Sequence, residues 1–319
     1  MFGSLMMQRA HGNKEGGKME GKRLSDSNII TRNYLDSILI EERLVDSVLP
    51  NLEIEFFGER FAGPTMMPAF SHLPAYHDRE LTGLEEYSIA AKNLGIVNWC
   101  GMMENDMFAK LIATGARTVR IIKPYENREK ILDQMAFAER SGALAVGIDI
   151  DHIFGMGQYD VVLGEKMAPQ TKEDLQSYVK DTGLPFVVKG VLSVQDAVKC
   201  AEAGVKGIVV SHHHGRMPYA VPPLMVLPEI AGALKGSGVK IVVDCSIDTG
   251  ADAYKALALG ADAVSVGRAI LPSLEEKGAI GAEQYIKEMN NELSMMMSFT
   301  GFSGVKELDA SALWIGGRT

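Results

Sequence analysis

Three consecutive histidines, His212, His213 and His214, follow Ser211 and run directly into Gly215 and Arg216. Histidine can accept and return a proton near neutral pH. An arginine three residues beyond the middle histidine adds a permanent cation. A proton-transfer group, a flexible backbone point and a fixed cation at one strand end is how a barrel enzyme presents chemistry at its rim. A solvated His-rich loop and a metal-binding tract are the other readings of the same residues. Adjacent residues at a strand end point to opposite sides, which weighs against all three ligating one ion, and no metal site is expected.

Such residues need a frame. The run Gly207-Ile208-Val209-Val210 reads as a short buried strand that empties into the histidines. Similar apolar runs begin at Thr65, Gly95, Thr118, Ala145, Pro185, Lys240 and Ala263, which makes about eight. Helical patterns separate them. Asn127 to Ser141 puts Ile131, Leu132, Met135 and Ala138 on one face. Ser193 and Asp196 have capping-box spacing before a helix running to Gly204, and Gly250 to Leu259 stops at Gly260. Regular βα alternation with eight units predicts a (β/α)8 TIM barrel. A doubly wound open sheet is the rival, but no Gly-rich dinucleotide turn follows the first strand. A lead-in helix over Thr31–Leu49, a C-terminal helix over Glu283–Phe299 and a flexible tail over residues 1–27 complete the expectation. Residues 28–319 then form one barrel domain.

In a βα barrel, the residues where strands become loops face the active site. Those ends are Pro68, Trp99-Cys100, Lys123, Asp149 and Asp151, Lys189, His213, Asp244 and Gly267-Arg268. Lys189 closes a buried strand, so its ammonium must meet something anionic or electron-rich. An ion pair with Asp149 or Asp244 that merely holds the rim is the plainer reading. Gly267-Arg268 after the last strand suits a phosphate, through backbone N–H groups and a guanidinium.

Composition excludes several classes. The chain has 319 residues, 46% of them apolar, enough for a sizeable core. A formal charge of −9 argues against nonspecific nucleic-acid binding. Cys100, Cys200 and Cys245 are odd in number without a CxxC pair, which fits a reducing compartment. No apolar stretch reaches the length of a membrane span or a signal-peptide core, so a cytoplasmic location is expected.

Phe186-Val187-Val188-Lys189-Gly190-Val191-Leu192 with Asp196-Ala197, then Ser211 to Arg216, resembles the FMN-dependent 2-hydroxy acid oxidase and dehydrogenase family. Val243-Asp244, Lys255 to Val264 and Gly267-Arg268 continue the likeness, which covers the chain from about Thr31. The resemblance implies a βα barrel binding FMN at its C-terminal rim and oxidising a 2-hydroxy acid or related anionic substrate. By motif, His213 is the base, oriented by Asp149, and Arg216 holds the substrate carboxylate. Lys189 lies beside flavin N1, and Pro68, Ser211, Asp244, Ser246, Gly267 and Arg268 join it around the cofactor. The resemblance also implies a homo-oligomer, usually a tetramer.

The chain departs from the family pattern at several points. His212 and His214 stand where the family has Asn and Gly. Ile121 and Lys123 replace a Gln and a Tyr, Gly147 replaces a Thr, and the second carboxylate-binding Arg falls at Gly157. Cys245-Ser246 replaces Gly-Gly, and Asp248 replaces the Arg that follows. The expectation is therefore a hydroxy acid enzyme with an altered substrate site, in which Lys123 supplies the missing charge. The alternatives are a flavin barrel with an isomerase-like or peptide-modifying reaction, and a member reduced to ligand binding.

Overall fold

In the computed structural model, which describes residues 25–155 and 157–316, eight short parallel strands share one sheet. They are β1 (Thr65–Met66), β2 (Asn98–Cys100), β3 (Thr118–Ile122), β4 (Ala145–Asp149), β5 (Phe186–Val191), β6 (Gly207–Val210), β7 (Lys240–Val243) and β8 (Ala263–Ser265). From β2 to β8 each strand pairs with the next, and β8 pairs with β1. The remaining seam between β1 and β2 is closed beyond the strands. There the Met67 N–H donates to the Val97 carbonyl at 3.1 Å, and Phe70 bridges Cys100. The sheet is a (β/α)8 barrel, as the alternation predicts. Strands β3 to β7 are rich in buried Val and Ile, because both of their faces are covered.

Among the described residues, eight helices lead into or lie between the strands: α1 (Ser27–Ser37), α2 (Gly83–Leu94), α3 (Asn105–Ala113), α4 (Arg128–Arg140), α5 (Lys172–Lys180), α6 (Val194–Glu202), α7 (Pro223–Ala233) and α8 (Gly250–Ala258). A ninth, α9 (Leu271–Thr300), follows β8 and packs on α2 and α8. Hydroxyl and amide side chains start most of them. Thr82, Thr171 and Thr249 form reciprocal capping boxes, and Asn127 and Ser193 accept backbone N–H bonds in the first turn.

Two expected elements have different limits. The helix expected over Thr31–Leu49 stops at Ser37, because Ile38 turns extended and Leu39–Ile40 pairs antiparallel with Leu313–Trp314. A strand partner from the opposite end of the chain leaves no local periodic signal. The C-terminal helix begins at Leu271 rather than Glu283, with Gly278 (φ 59°) breaking its regular turn. Of the tail expected over residues 1–27, positions 1–24 lie outside the described residues, while Ser27 is buried as the first residue of α1. Among the described residues, no helix is long and apolar enough to cross a membrane.

Candidate active site

The three histidines at the end of β6 diverge to three different partners. His212 is buried; its Nδ1 accepts the Gly215 N–H at 2.9 Å, so Nε2 carries the proton and donates to Thr31 Oγ1 at 2.8 Å. It ties α1 to the loop, and burial lowers its pKa, keeping it neutral. His214 Nε2 accepts from Arg268 at 2.8 Å. His213 turns the other way, towards β4. Both His213 and His214 take left-handed backbone (φ 47° and 56°), which splays their rings apart.

Behind His213 lies a buried charge cluster. Its Nδ1 stands 2.5 Å from Asp151 Oδ1 and 3.4 Å from Asp149 Oδ2. Lys123, from the end of β3, donates to Asp149 Oδ2 at 2.6 Å and to His152 Nδ1 at 2.8 Å. His152 Nε2 then donates to Asp160 Oδ2 at 2.9 Å, and Arg216 donates to the same oxygen at 2.8 Å. Burial pushes the Asp149 carboxyl up, and the Lys123 ammonium, with Asp151 and His213, more than reverses this, leaving it well below the ordinary range. Burial and the Asp149 charge raise Asp151 to about 7. For His213, burial works downward, but the Asp149 and Asp151 carboxyls outweigh it and the pKa is raised. Burial, with Lys123, Arg216 and His213, lowers His152 to about 4. Ligand atoms of Asp149, His152 and His213 lie within 4.8 Å of one another, a spacing open to a metal ion. The Lys123 ammonium is bonded to two of these three and already supplies a cation.

In front of His213 opens a cleft of about 600 Å³ lined by Pro68, Phe70, Lys189, Asp244, Ser246 and Arg268, among others. That size is ordinary for a cofactor or small-ligand site. Lys189 Nζ sits on its floor, 2.9 Å from Asp244 Oδ2, and donates to Ser211 Oγ at 3.2 Å. Burial works against its charge, but Asp244, Asp151 and Asp149 outweigh burial and hold its pKa above the usual lysine range. At the far end, Gly267 and Arg268 open a short 3-10 turn that runs into α9. A Cβ added at Gly267 would meet nothing nearer than Asp248 Oδ1 at 3.8 Å, so the backbone there is open to approach.

This donor set suits FMN: a buried lysine at the base and an arginine with open backbone at the end where a phosphate belongs. Cys245 and Ser246 take left-handed backbone (φ 72° and 59°) although neither is glycine, a conformation that glycine adopts without steric cost. Asp248 remains a carboxyl beside the phosphate end. Burial and Asp252 raise its pKa, which lessens the repulsion. Gly147 cannot carry the expected threonine in this arrangement, since a Cβ there would come within 2.2 Å of the Val187 carbonyl oxygen.

The residues singled out by sequence fall into two groups. His213, Pro68, Lys189, Asp244, Ser246, Gly267 and Arg268 line one cleft, with Ser211 bonding Lys189 just outside it. Lys123 and Asp149 are buried behind His213, and Arg216 is held by Asp160 and the Phe154 carbonyl. Sequence reasoning did not assign roles to Asp151, His152 or Asp160. The i, i+2 spacing of Asp149 and Asp151 on an extended segment was a usable signal, because it directs both side chains to one side. Asp160 gave none.

Residues 155–315 match the model of the FMN-dependent dehydrogenase family. A peroxisomal (S)-2-hydroxyacid oxidase of Arabidopsis thaliana is 28% identical over 83% of this chain and 81% of its own. A 4-hydroxymandelate oxidase of Amycolatopsis orientalis is 27% identical over 89% of each chain. The solved structure of a mandelate oxidase variant with a monooxide FMN adduct superposes with a TM-score of 0.82 at 29% identity, covering 92% of each chain.

Proposed function

Because this chain belongs to the FMN-dependent dehydrogenase family, matched over residues 155–315, we propose that its cleft oxidises a 2-hydroxy acid with His213 as base. FMN, when bound, supplies the two-electron acceptor that takes the hydride from the carbon bearing the hydroxyl, leaving a 2-oxo acid. His213 does the proton work. With Nδ1–H held by a carboxyl, Nε2 is the basic nitrogen, and the negative charge behind the ring stabilises the imidazolium that forms. Lys189 holds positive charge at the base of the cleft, where it can offset negative charge gained by the cofactor. Pro68, Ser211, Asp244, Ser246, Gly267 and Arg268 are assigned to cofactor contacts, Arg268 to the phosphate.

Arg216 is the residue assigned to the substrate carboxylate. Its partner Asp160 is itself a carboxylate, so an incoming acid competes with Asp160 for the guanidinium. Lys123 is assigned to charge balance behind the site rather than to substrate, since Asp149 and His152 occupy its ammonium. The observation that carries the reading is His213, backed by carboxyls and facing the cleft that Lys189 floors. Purified protein should be yellow, or become so with FMN, and should bleach anaerobically with lactate, glycolate or mandelate. Protein that takes up no FMN refutes the proposal.

The engaged state of Arg216 favours one second reading, a flavin reaction on a substrate without a free carboxylate. Bound flavin that none of these acids reduces supports it. A cytoplasmic homo-oligomer completes the proposal. Exposed apolar side chains at Val45, Leu49, Met295 and Phe299 support self-association, which light scattering measures.

A further inference from the structure

We propose that Asp151, and not Asp149, is the positioning residue of His213: Asp151 holds the Nδ1–H, while Asp149 is committed to Lys123. The inference rests on His213 being the base of the reaction proposed above.

Distance is the first ground. Asp151 Oδ1 stands 2.5 Å from His213 Nδ1, while the nearer Asp149 oxygen is 3.4 Å away. That same Asp149 oxygen already accepts from Lys123 at 2.6 Å. The second ground is the pair of remaining oxygens. Asp149 Oδ1 and Asp151 Oδ2 are both buried and have no hydrogen-bond partner among the described residues. Two buried carboxylates side by side cannot both stay charged cheaply, and one proton held between them would satisfy both oxygens.

The third ground is the space made for Asp151. Gly190 follows Lys189 at a register shift in β5, with φ 94°. A Cβ there would lie 2.5 Å from Asp151 Cγ, so a side chain at 190 would drive the carboxyl away from His213. On the ring's other side, Ser211 Oγ accepts the His213 backbone N–H at 3.0 Å and fixes the loop. The His152 ring packs edge-on against His213 at 5.4 Å. The charged and titratable groups around His213 are thus Asp149, Asp151, His152 and Lys189, with Lys123, Arg216 and His214 further out.

Each aspartate makes a distinct contribution under this arrangement. A carboxylate bonded to Nδ1 favours the imidazolium, so its removal lowers the pKa of His213. Asp151→Ala, which removes the acceptor at Nδ1, should therefore move the titration of the His213 ring down by about one pH unit or more, while Asp151→Asn, an isostere of the carboxyl that carries the shared proton, should move it less. Carbon-13-labelled histidine in the full-length protein reads this by NMR, with His213→Gln identifying the signal. Gly190→Ala, which removes no charge, should shift the same signal in the same direction. It also serves as the reading if Asp151→Ala fails to fold. At neutral pH, kcat/KM for a 2-hydroxy acid should fall about 100-fold in Asp151→Ala, with the acidic limb of its pH profile displaced to lower pH. An unmoved ring titration in both Asp151→Ala and Gly190→Ala overturns the proposal. Ring titration needs no turnover, so a failure of the hydroxy acid reading is told apart from a failure of this one.

Discussion

Replacing Lys123 with methionine probes the ion pair at the rear of the site. The Lys123 and Asp149 side chains are 7% and 3% exposed, and their charged atoms are 2.6 Å apart. Methionine preserves most of the stem's packing, so the change chiefly deletes the ammonium. Asp149 is then a buried charge without its cation, and breaking a buried pair in this way costs about 3–5 kcal/mol. For a domain of this size, that corresponds to a fall in Tm of roughly 6–20 °C. The pH dependence supplies an internal check. With Lys123 present, the Asp149 pKa is depressed, so its contribution to stability is present above the unfolded pKa and lost as pH falls through the folded one. Without Lys123, burial dominates and the pKa rises above the unfolded value, so the folded variant binds the extra proton. The deficit relative to the parent should be largest at about pH 8 and shrink towards about pH 5. Thermal unfolding by circular dichroism across that range measures it. Combining Lys123→Met with Asp149→Asn should recover all but about 1 kcal/mol of the loss. A loss below about 1 kcal/mol in Lys123→Met, or an equal loss with Asn at 149, refutes the reasoning.

Asp160→Asn should loosen the hold on Arg216 and lower KM for a 2-hydroxy acid by about 3- to 10-fold, with kcat less affected. Steady-state kinetics with an unchanged KM would count against Arg216 as the carboxylate clamp. Arg268→Gln should weaken FMN binding by about 10-fold or more while sparing riboflavin, read by flavin fluorescence. Equal losses for both flavins would remove Arg268 from the phosphate. Ser246→Gly relieves left-handed backbone in a residue that carries a Cβ, and should stabilise by about 1 kcal/mol in a denaturant titration. An unchanged or lower midpoint would show that this loop bears no such strain.

Much of the frame was legible because it is built from local signals. Val187-Val188, Ile208-Val209-Val210 and Val242-Val243 read as buried strands from their apolar runs alone, and all are buried. Asn127, Ser193 and Gly260 marked helix limits through capping chemistry that acts within a few residues. The lead-in helix was overextended for the converse reason. Leu39–Ile40 became a strand through a partner some 270 residues away, Leu313–Trp314.

The sequence by itself determined the inventory of the site. A lysine near the end of β5, and a histidine and an aspartate just beyond β6 and β7, were legible there because residues at the ends of buried strands emerge together at one rim. Which of them touch was decided by tertiary structure. His212 was drawn to Thr31 on α1, His214 to Arg268, and Lys123 to Asp149 and His152. The choice between Asp149 and Asp151 for His213 turns on a gap of under an ångström and on the space left by Gly190, on a different strand. Spacing along one chain segment specifies a direction for each side chain. Hydrogen bonding depends on distances between segments, and those are set where β3, β4, β5 and β6 pack together.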